Sequence, residues 1–208
     1  MEKKSEYEIF VREQFQYFFD NFFEDASFSR RSIALESIHS ILEHFNEIVE
    51  DLKTEREFRI LLIQFHDSYE HNKQVTLNIL KKFPLKVIRL DEDLMIQDLM
   101  DQIWNLTKSH KPPDSITAGY IAKYITSFEK MSSKSLIAVI FQELKIQYES
   151  AKFSLENAAL NGPMYGLLFC LRSLLEPDVI GTLDSIFLEE LFDLCLDITI
   201  IIANVLNR

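Results

Sequence analysis

The stretches RSIALESI at residues 31–38 and KQVTLNIL at residues 73–80 share one pattern, and this pattern decides the fold class. Each begins with a basic residue and continues with apolar residues at helical spacing. They lie roughly 42 positions apart, and further helix starts near Ser115 and Pro163 follow at spacings of roughly 42 to 48. HEAT and armadillo repeats have periods of about 40–47 residues. The spacing therefore predicts a run of similar helical units.

Glycine and proline are scarce in this chain. It has 208 residues but only 4 Gly and 5 Pro, where average usage would give roughly 25 of the two together. An all-β sandwich or barrel needs a turn about every 8–12 residues, and turns are rich in these two residue types. No segment of any length alternates with period two. The composition therefore predicts an all-α protein with short connections.

The 3.6-residue apolar period predicts about ten helices in a single run over residues 1–208. Breaks are expected at residues 28–31 and at the loop 109–115, which holds two consecutive prolines. Together with the repeat spacing, this predicts a HEAT/armadillo-like α-solenoid, a superhelical stack of antiparallel helix pairs. The first helix is predicted at roughly residues 5–24, the fourth from near His71 to a stop at Pro84, and the last from about Asp184 to the end. The eighth carries Leu155, Ala158 and Ala159.

The last predicted helix is apolar nearly all round. It reads LCLDITIIIANVL at residues 194–206, and a helix of this kind needs neighbours on more than one side. A self-standing solenoid ends in capping repeats with a polar outer face. We therefore expect the chain to be a section of a longer helical array. The alternative is a final helix inserted into a compact core.

Charge, cysteine content and hydropathy further limit the class of protein and its expected location. The formal net charge of −11 opposes the overall basicity of an autonomous nucleic-acid-binding domain. Cys170 and Cys195 lie in apolar helical segments without CxxC spacing, which favours reduced core thiols. The N-terminus lacks a secretory signal pattern, and four acidic residues interrupt the apolar stretch 186–206. We therefore expect a cytoplasmic protein that is not inserted in a membrane.

No motif for catalysis, cofactor binding or metal binding stands out. Four glycines are too few for a glycine-rich phosphate loop. His39 and Glu43 share a helix face, and His66 and His71 are five positions apart, but no zinc-binding spacing exists. The carboxylates are dispersed, and no acid/base pair can be singled out. We expect no catalytic residue, no cofactor and no metal. An enzyme built on a helical bundle stays open as a less favoured alternative.

The basic residues are concentrated in one region. Residues 53–89 hold eight basic and four acidic residues, an excess of +4 inside a −11 chain. Residues 176–208 are acidic instead, with seven acidic residues and one basic residue. This acidic segment either faces a partner or only aids solubility. The segment KKFPLKVIR at 81–89 could contact phosphates. Alternatively, its lysines only cap a helix C-terminus. The candidate RNA-phosphate contacts are Lys73, Lys81, Lys82, Lys86 and Arg89.

Three stretches, in matching order, resemble the THADA family. They are HDSYEHNKQVTLNILKKFP at residues 66–84, SITAGYIAKYI at residues 115–125 and AALNGPMYGLLFCLRSLL at residues 158–175. The third is the most specific, because it places Pro-Met-Tyr-Gly after a run of small residues and before an apolar helix with an embedded Cys. At position 169 the chain has Phe, where the family pattern suggests a polar residue.

This resemblance implies a non-catalytic role. Members of the family are very long α-solenoids, of which this chain would cover a central portion. The family includes the subunit that partners an FtsJ-type methyltransferase in 2′-O-methylation of the tRNA anticodon loop. In such a complex the methyltransferase carries the S-adenosylmethionine site. The expected partners are therefore an FtsJ-type tRNA methyltransferase and tRNA, with no DNA. The main alternative is a generic helical adaptor that binds proteins and no RNA.

Overall fold

The computed structural model describes residues 5–83, 90–109, 111–152 and 162–206. Over these ranges the chain folds into helices and contains no β-strand, so the prediction of an all-α protein is confirmed. Two 3₁₀ helices span Asn46–Leu52 and Gln64–His66. The α-helices are α1 Glu6–Asn21, α2 Phe28–His44, α3 Glu55–Ile63, α4 Glu70–Leu80, α5 Glu92–Thr107, α6 Pro112–Ile125, α7 Ser133–Lys152, α8 Gly162–Leu174, α9 Pro177–Ile180 and α10 Ser185–Leu206.

The chain divides into two compact units, Met1–Met95 and Ile96–Arg208. The boundary falls within α5 and not at the proline-rich segment. In unit 1, α1 to α4 bury large side chains against one another, and in unit 2 a second core is formed by α6, α7 and α8. Among the described residues, no helix has the length and apolarity that crossing a membrane requires.

The first break between helices lies earlier than the sequence indicates. The predicted break at residues 28–31 is wrong, because α2 already begins at Phe28. Ser27 is extended at the N-cap position, and Asp25 adopts a positive φ of 51°. Aspartate tolerates this left-handed region better than most residues do. The chain therefore turns at residues 22–27 without glycine or proline.

Helix α6 starts inside the segment 109–115 that was predicted as a loop. Its first two residues are Pro112 and Pro113, and the first turn of a helix is the one place where a missing N–H costs nothing. The Ser109 hydroxyl donates to the Asp114 carboxylate at 2.5 Å and fixes the approach to this turn. The predicted helix near residues 155–159 and the predicted stop at Pro84 lie outside the described residues.

In unit 1, α2 and α4 lie side by side and run parallel. The Phe28 ring at the start of α2 meets the Tyr69 ring at the start of α4, with centroids 5.9 Å apart. At the other end, Lys82 after α4 pairs with Glu43 near the end of α2. These are the helices that contain the stretches 31–38 and 73–80. The two stretches with a shared sequence pattern thus pack as parallel neighbours.

A buried carboxylate joins these two helices. Asp67 has no exposed side-chain surface and accepts hydrogen bonds from Arg31 Nε (2.7 Å), Asn72 Nδ2 (3.0 Å) and the Tyr69 N–H (2.8 Å). The Ser32 hydroxyl in turn donates to Asn72 Oδ1 at 2.7 Å. Burial alone would raise the pKa of Asp67 and is the largest single effect. The three hydrogen bonds and the Arg31 charge together outweigh it and hold the pKa below its ordinary value.

In unit 2, α6 and α8 also run parallel and approach closely. Gly119 of α6 faces Ser173 and Phe169 of α8, and Lys123 pairs with Glu176 just beyond α8 at 2.6 Å. Helix α8 also approaches the end of α5 closely. A Cβ on Gly166 would lie 2.7 Å from the Cα of Thr107. Close packing between helices therefore explains Gly166.

Helix α10 packs on α7. The Phe141 and Phe187 rings meet edge to face at 5.0 Å, and Lys145 pairs with Glu190 at 2.6 Å. Among residues 185–200 of α10, the buried ones are Leu191, Leu194 and Ile198. Four large apolar side chains on the other side remain 48 to 68% exposed: Ile186, Phe192, Leu196 and Ile200.

Replacement of Asp67 by Asn should destabilise unit 1. The amide cannot match the charge of Arg31, so we expect a loss of about 2–3 kcal/mol at pH 7 in urea unfolding. Because the folded-state pKa is lowered, the carboxylate stabilises the fold above its unfolded pKa of about 3.9. The difference between wild type and Asp67→Asn should shrink as the pH falls below about 4.

Asp51→Asn is the matched control for this prediction. Asp51 pairs with Arg12, but its side chain is 66% exposed, so water replaces much of what the substitution removes. A similar loss in both variants, or a loss at Asp67 that does not change with pH, would contradict the role assigned to the buried carboxylate.

Replacement of Gly166 by Ala should destabilise unit 2. The new methyl group would meet the Cα of Thr107, a backbone atom that cannot rotate away. We expect a loss of about 1–3 kcal/mol in thermal or urea unfolding. At Gly181, a Cβ would meet its nearest atom at an ordinary 3.6 Å, so Gly181→Ala serves as the control. Equal stability of the two variants would show that α8 can shift away from α5.

Candidate nucleic-acid interface

The structure places six of the eight basic residues of the 53–89 region. Lys53 is one of them, and it is buried. Its ammonium group donates to Asn46 Oδ1 at 2.7 Å and to Glu50 Oε2 at 2.5 Å, both in the 3₁₀ helix just before it. This lysine closes the end of that 3₁₀ helix and does not face solvent.

Both arginines of α3 form ion pairs. Arg56 bridges Asp20 of α1 at 2.8 Å and its neighbour Glu57 at 2.9 Å. The hydrogen bond to Asp20 is the main reason why the pKa of Arg56 rises further. Arg59 pairs with Glu55, one turn earlier in the same helix, at 2.6 Å. Each guanidinium group therefore already has a carboxylate as its counter-ion.

Lys73 was predicted as a phosphate contact, and the structure places it in the interior. It is 3% exposed, and its Nζ donates to the Phe65 carbonyl at 2.6 Å. That carbonyl lies in the 3₁₀ helix Gln64–His66, close to its C-terminal end, where a positive charge is favoured. A phosphate could reach this ammonium group only by unpacking α4. We therefore remove Lys73 from the set of possible contacts.

Lys81 and Lys82 both follow α4, but they differ in their surroundings. Lys82 pairs with Glu43 of α2, and this hydrogen bond is the main cause of the lowered pKa of that carboxylate. Lys81 is exposed and forms no ion pair with any residue in the described ranges. The remaining two candidates, Lys86 and Arg89, lie outside the described residues.

Ion pairs with residues from elsewhere in the chain therefore compensate much of the local positive charge of +4. Its counter-ions Asp20, Glu43 and Glu50 come from elements before residue 53. A charge count over a window of sequence cannot include them. Of the predicted contacts that the structure describes, Lys81 and Lys82 remain at the surface.

A groove of about 800 Å³ lies between α1 and α3 in unit 1. Its floor is apolar, and the ion pairs of Arg56 and Arg59 line its rim. The pairs Arg56–Asp20 and Arg59–Glu55 neutralise four of the charged groups that line the groove, and Glu24 is a lining carboxylate without an ion pair to a described residue. The apolar lining residues are Phe19, Phe23, Ile60 and Ile63.

The histidines and cysteines do not gather into a metal site within the described ranges. His39 lies 3.6 Å from Glu43, and His71 lies 2.5 Å from Glu36. Cys170 is buried in the core, and burial raises the pKa of its thiol to about 12. Burial also raises the pKa of Cys195. Both groups are therefore thiols at neutral pH, the form that is a poor nucleophile.

A second basic and aromatic surface, which the sequence reading missed, lies on α8. The Tyr165 and Phe169 rings are 5.8 Å apart, and the Arg172 guanidinium lies 5.4 Å above the Phe169 ring. We call these three residues the α8 ladder. Their spacing of four and then three residues places them on one helix face. That spacing was visible in the sequence, although only burial shows which face of α8 is exposed.

Curated proteins similar to this chain carry the name tRNA (32-2′-O)-methyltransferase regulator THADA. The one from Canis lupus familiaris is 24% identical over 82% of this chain. The one from Drosophila melanogaster is 25% identical over 90% of the chain, and the one from Homo sapiens is 23% identical over 76%.

The chain corresponds to only a small part of these relatives. It spans 11%, 12% and 10% of the dog, fly and human proteins, respectively. No protein-family profile matches the chain, and no solved structure matches it. Four curated relatives agree in name at 23–25% identity. The chain thus has a distant relationship to the THADA regulators of tRNA methylation.

Proposed function

We propose that this chain is a non-catalytic scaffold that regulates a tRNA 2′-O-methyltransferase. The observation that carries the proposal is the similarity over 76–90% of the chain to proteins that are all named as regulators of such an enzyme. The partner would be an FtsJ-type enzyme that modifies the tRNA anticodon loop in the cytoplasm. The partner would supply the S-adenosylmethionine site, and this chain would orient enzyme and tRNA.

The arrangement of parallel helices supports a solenoid as the architecture of this scaffold. In a solenoid, equivalent helices of successive repeats are parallel neighbours. Unit 1 shows this relation for α2 and α4, and unit 2 shows it for α6 and α8. These four helices contain or begin near the repeat starts at residues 31, 73, 115 and 163.

The exposed apolar face of α10 supports a role in binding other macromolecules. Phe192 and Ile186 are 68% and 66% exposed, and apolar side chains grouped in this way are typical of interaction surfaces. Residues 177–206 hold six acids and no base. This face therefore suits a protein partner and repels the RNA backbone.

For contact with tRNA phosphates we propose Lys81 and Lys82, together with Lys86 and Arg89. Lys81 forms no ion pair with a described residue, and Lys82 would exchange a carboxylate for a phosphate. A generic adaptor without RNA binding stays the second candidate, because ion pairs compensate four of the six cations of this region that the structure describes. The helical-bundle enzyme is less favoured, since two ion pairs neutralise four of the charged groups that line the groove between α1 and α3.

Reconstitution tests this function directly. Purified FtsJ-type methyltransferase would be given tRNA and S-adenosylmethionine, with and without this chain. We expect the chain to bind the enzyme and to increase 2′-O-methyl transfer to the anticodon loop, measured by mass spectrometry of digested tRNA. Binding of the enzyme with no change in methylation would favour the adaptor. No binding and no change would reject the proposal.

Charge reversal at Lys81, Lys82 and Lys86 should weaken tRNA binding. Each lost phosphate contact also lowers the slope of log K against log salt by about 0.7 to 0.9, so we expect the slope to fall by about two. Fluorescence anisotropy at several salt concentrations measures both effects. Lys134→Glu is the control, because this exposed lysine lies on α7 in the other unit. Unchanged affinity and slope in the triple variant would remove phosphate contact from this segment.

A further inference from the structure

We propose that the α8 ladder of Tyr165, Phe169 and Arg172 is a stacking site for unpaired bases of RNA. This inference rests on the proposed function for its ligand class, since that function makes RNA the expected ligand. It adds a mode of recognition that phosphate contacts alone do not give. Unpaired bases stack on aromatic rings and on the plane of arginine.

The geometry of the ladder suits stacking. Tyr165 is 50% exposed, so its ring is accessible from solvent. Phe169 follows with its ring centroid 5.8 Å away, and the Arg172 guanidinium lies 5.4 Å from the Phe169 centroid. The ladder therefore runs along the helix as a tyrosine ring, a phenylalanine ring and a guanidinium plane.

Arg172 is available to a ligand. Within the described ranges Arg172 forms no ion pair, and its guanidinium group lies over the Phe169 ring. A guanidinium group held over an aromatic ring keeps its N–H groups at the edge of the plane. Those groups can donate to a phosphate while the plane supports a base. Lys53, Arg56, Arg59 and Lys82 in unit 1 differ, because each already holds a carboxylate.

Positive charge lies on both sides of the two aromatic rings, with Arg172 on one side and two lysines on the other. Gly166 packs on Thr107, so the first turn of α8 lies against the end of α5. The next residue, Lys108, is exposed, as is Lys111 at the start of α6. Neither lysine forms an ion pair with a described residue. Lys123 of α6 does not add to this charge, because Glu176 pairs with it at 2.6 Å.

Two carboxylates that follow Lys111 and Arg172 closely in the chain already have partners. Asp114 accepts the Ser109 hydroxyl, and Glu176 pairs with Lys123. An aromatic surface with basic residues on either side is the arrangement by which proteins hold single strands, because the cations follow the phosphates while the rings stack on the bases. Charge complementarity therefore favours a polyanion with planar groups over a neutral apolar segment.

The ladder is also held rigidly. On the opposite face of α8, Leu167, Cys170 and Leu171 are at most 2% exposed. Gly119 brings α6 against α8 at Ser173, which donates to the Phe169 carbonyl at 2.9 Å. A site on a well-packed helix loses little conformational entropy when a ligand binds. The stacking surface therefore exists before RNA arrives.

The test uses the full chain and a 12-nucleotide single-stranded RNA that carries 2-aminopurine near its centre. Fluorescence of 2-aminopurine is quenched when the base stacks, so it reports stacking separately from phosphate binding. We expect quenching by the wild type and tighter binding of the single strand than of a duplex of the same sequence. Tyr165→Leu keeps apolar bulk but loses the ring. It should weaken binding about tenfold and remove much of the quenching.

Two matched variants show whether the ring itself matters. Tyr165→Phe keeps the ring and should bind as the wild type does. Tyr17→Leu removes an equally exposed tyrosine from α1 and should change nothing. Arg172→Lys keeps the positive charge but removes the planar guanidinium group. Quenching of 2-aminopurine should therefore decrease, while the salt dependence of RNA binding should change less. Circular dichroism of each variant checks that the helices are retained.

The outcomes separate this inference from the proposed function. Equal quenching and affinity for Tyr165→Leu and wild type would overturn the stacking site, even if the chain stimulates tRNA methylation. Loss of quenching in Tyr165→Leu without any stimulation of the methyltransferase would support the site and reject the function. If the wild type binds no RNA but binds an acidic peptide through Tyr165, the ladder is a peptide site and the inference is wrong.

Discussion

The constraint on which unit 1 depends is a carboxylate in its interior. Asp67 is removed from water and must be matched by donors, because an unpaired buried charge costs several kcal/mol. The donors come from Arg31 at the start of α2 and from Asn72 at the start of α4. Their geometry fixes the two helices side by side, level with each other and parallel. The ring contact between Phe28 and Tyr69 follows from that register.

Most of the fold could be predicted from the sequence, because apolar periodicity reports directly on helices that bury one face. The missed elements have physical reasons. The turn at residues 22–27 contains no glycine or proline, and Asp25 takes its positive φ without a local sequence signal. Pro112 and Pro113 suggested a loop because proline disrupts a helix interior, whereas here they occupy a first turn. The parallel pairing of α2 with α4 matches the shared pattern of the two stretches.

The candidate site was less accessible to sequence reasoning. Exposure and ion pairing depend on residues far along the chain, as Lys82 shows by pairing with a glutamate 39 positions away. Lys73 was predicted as a phosphate contact, and lysine is rarely buried. In the structure its ammonium group donates a hydrogen bond to the Phe65 carbonyl in the interior. The spacing of the aromatic and basic residues of the α8 ladder is visible in the sequence. Nothing in the sequence, however, distinguished the exposed face of an apolar helix from its buried faces.

The distance along the chain between contacting residues has a consequence for folding. The long-range side-chain contacts that tie α1 and α2 to later elements of unit 1 join residues 35 to 41 positions apart. The entropy of loop closure grows slowly with loop length, and these loops are all of one moderate size. Each helix can therefore find its neighbour soon after the intervening chain has been synthesised. Unit 1 should assemble progressively from the ribosome, with Asp67 joining the segment after α3 to the start of α2 through Arg31 before α4 is complete.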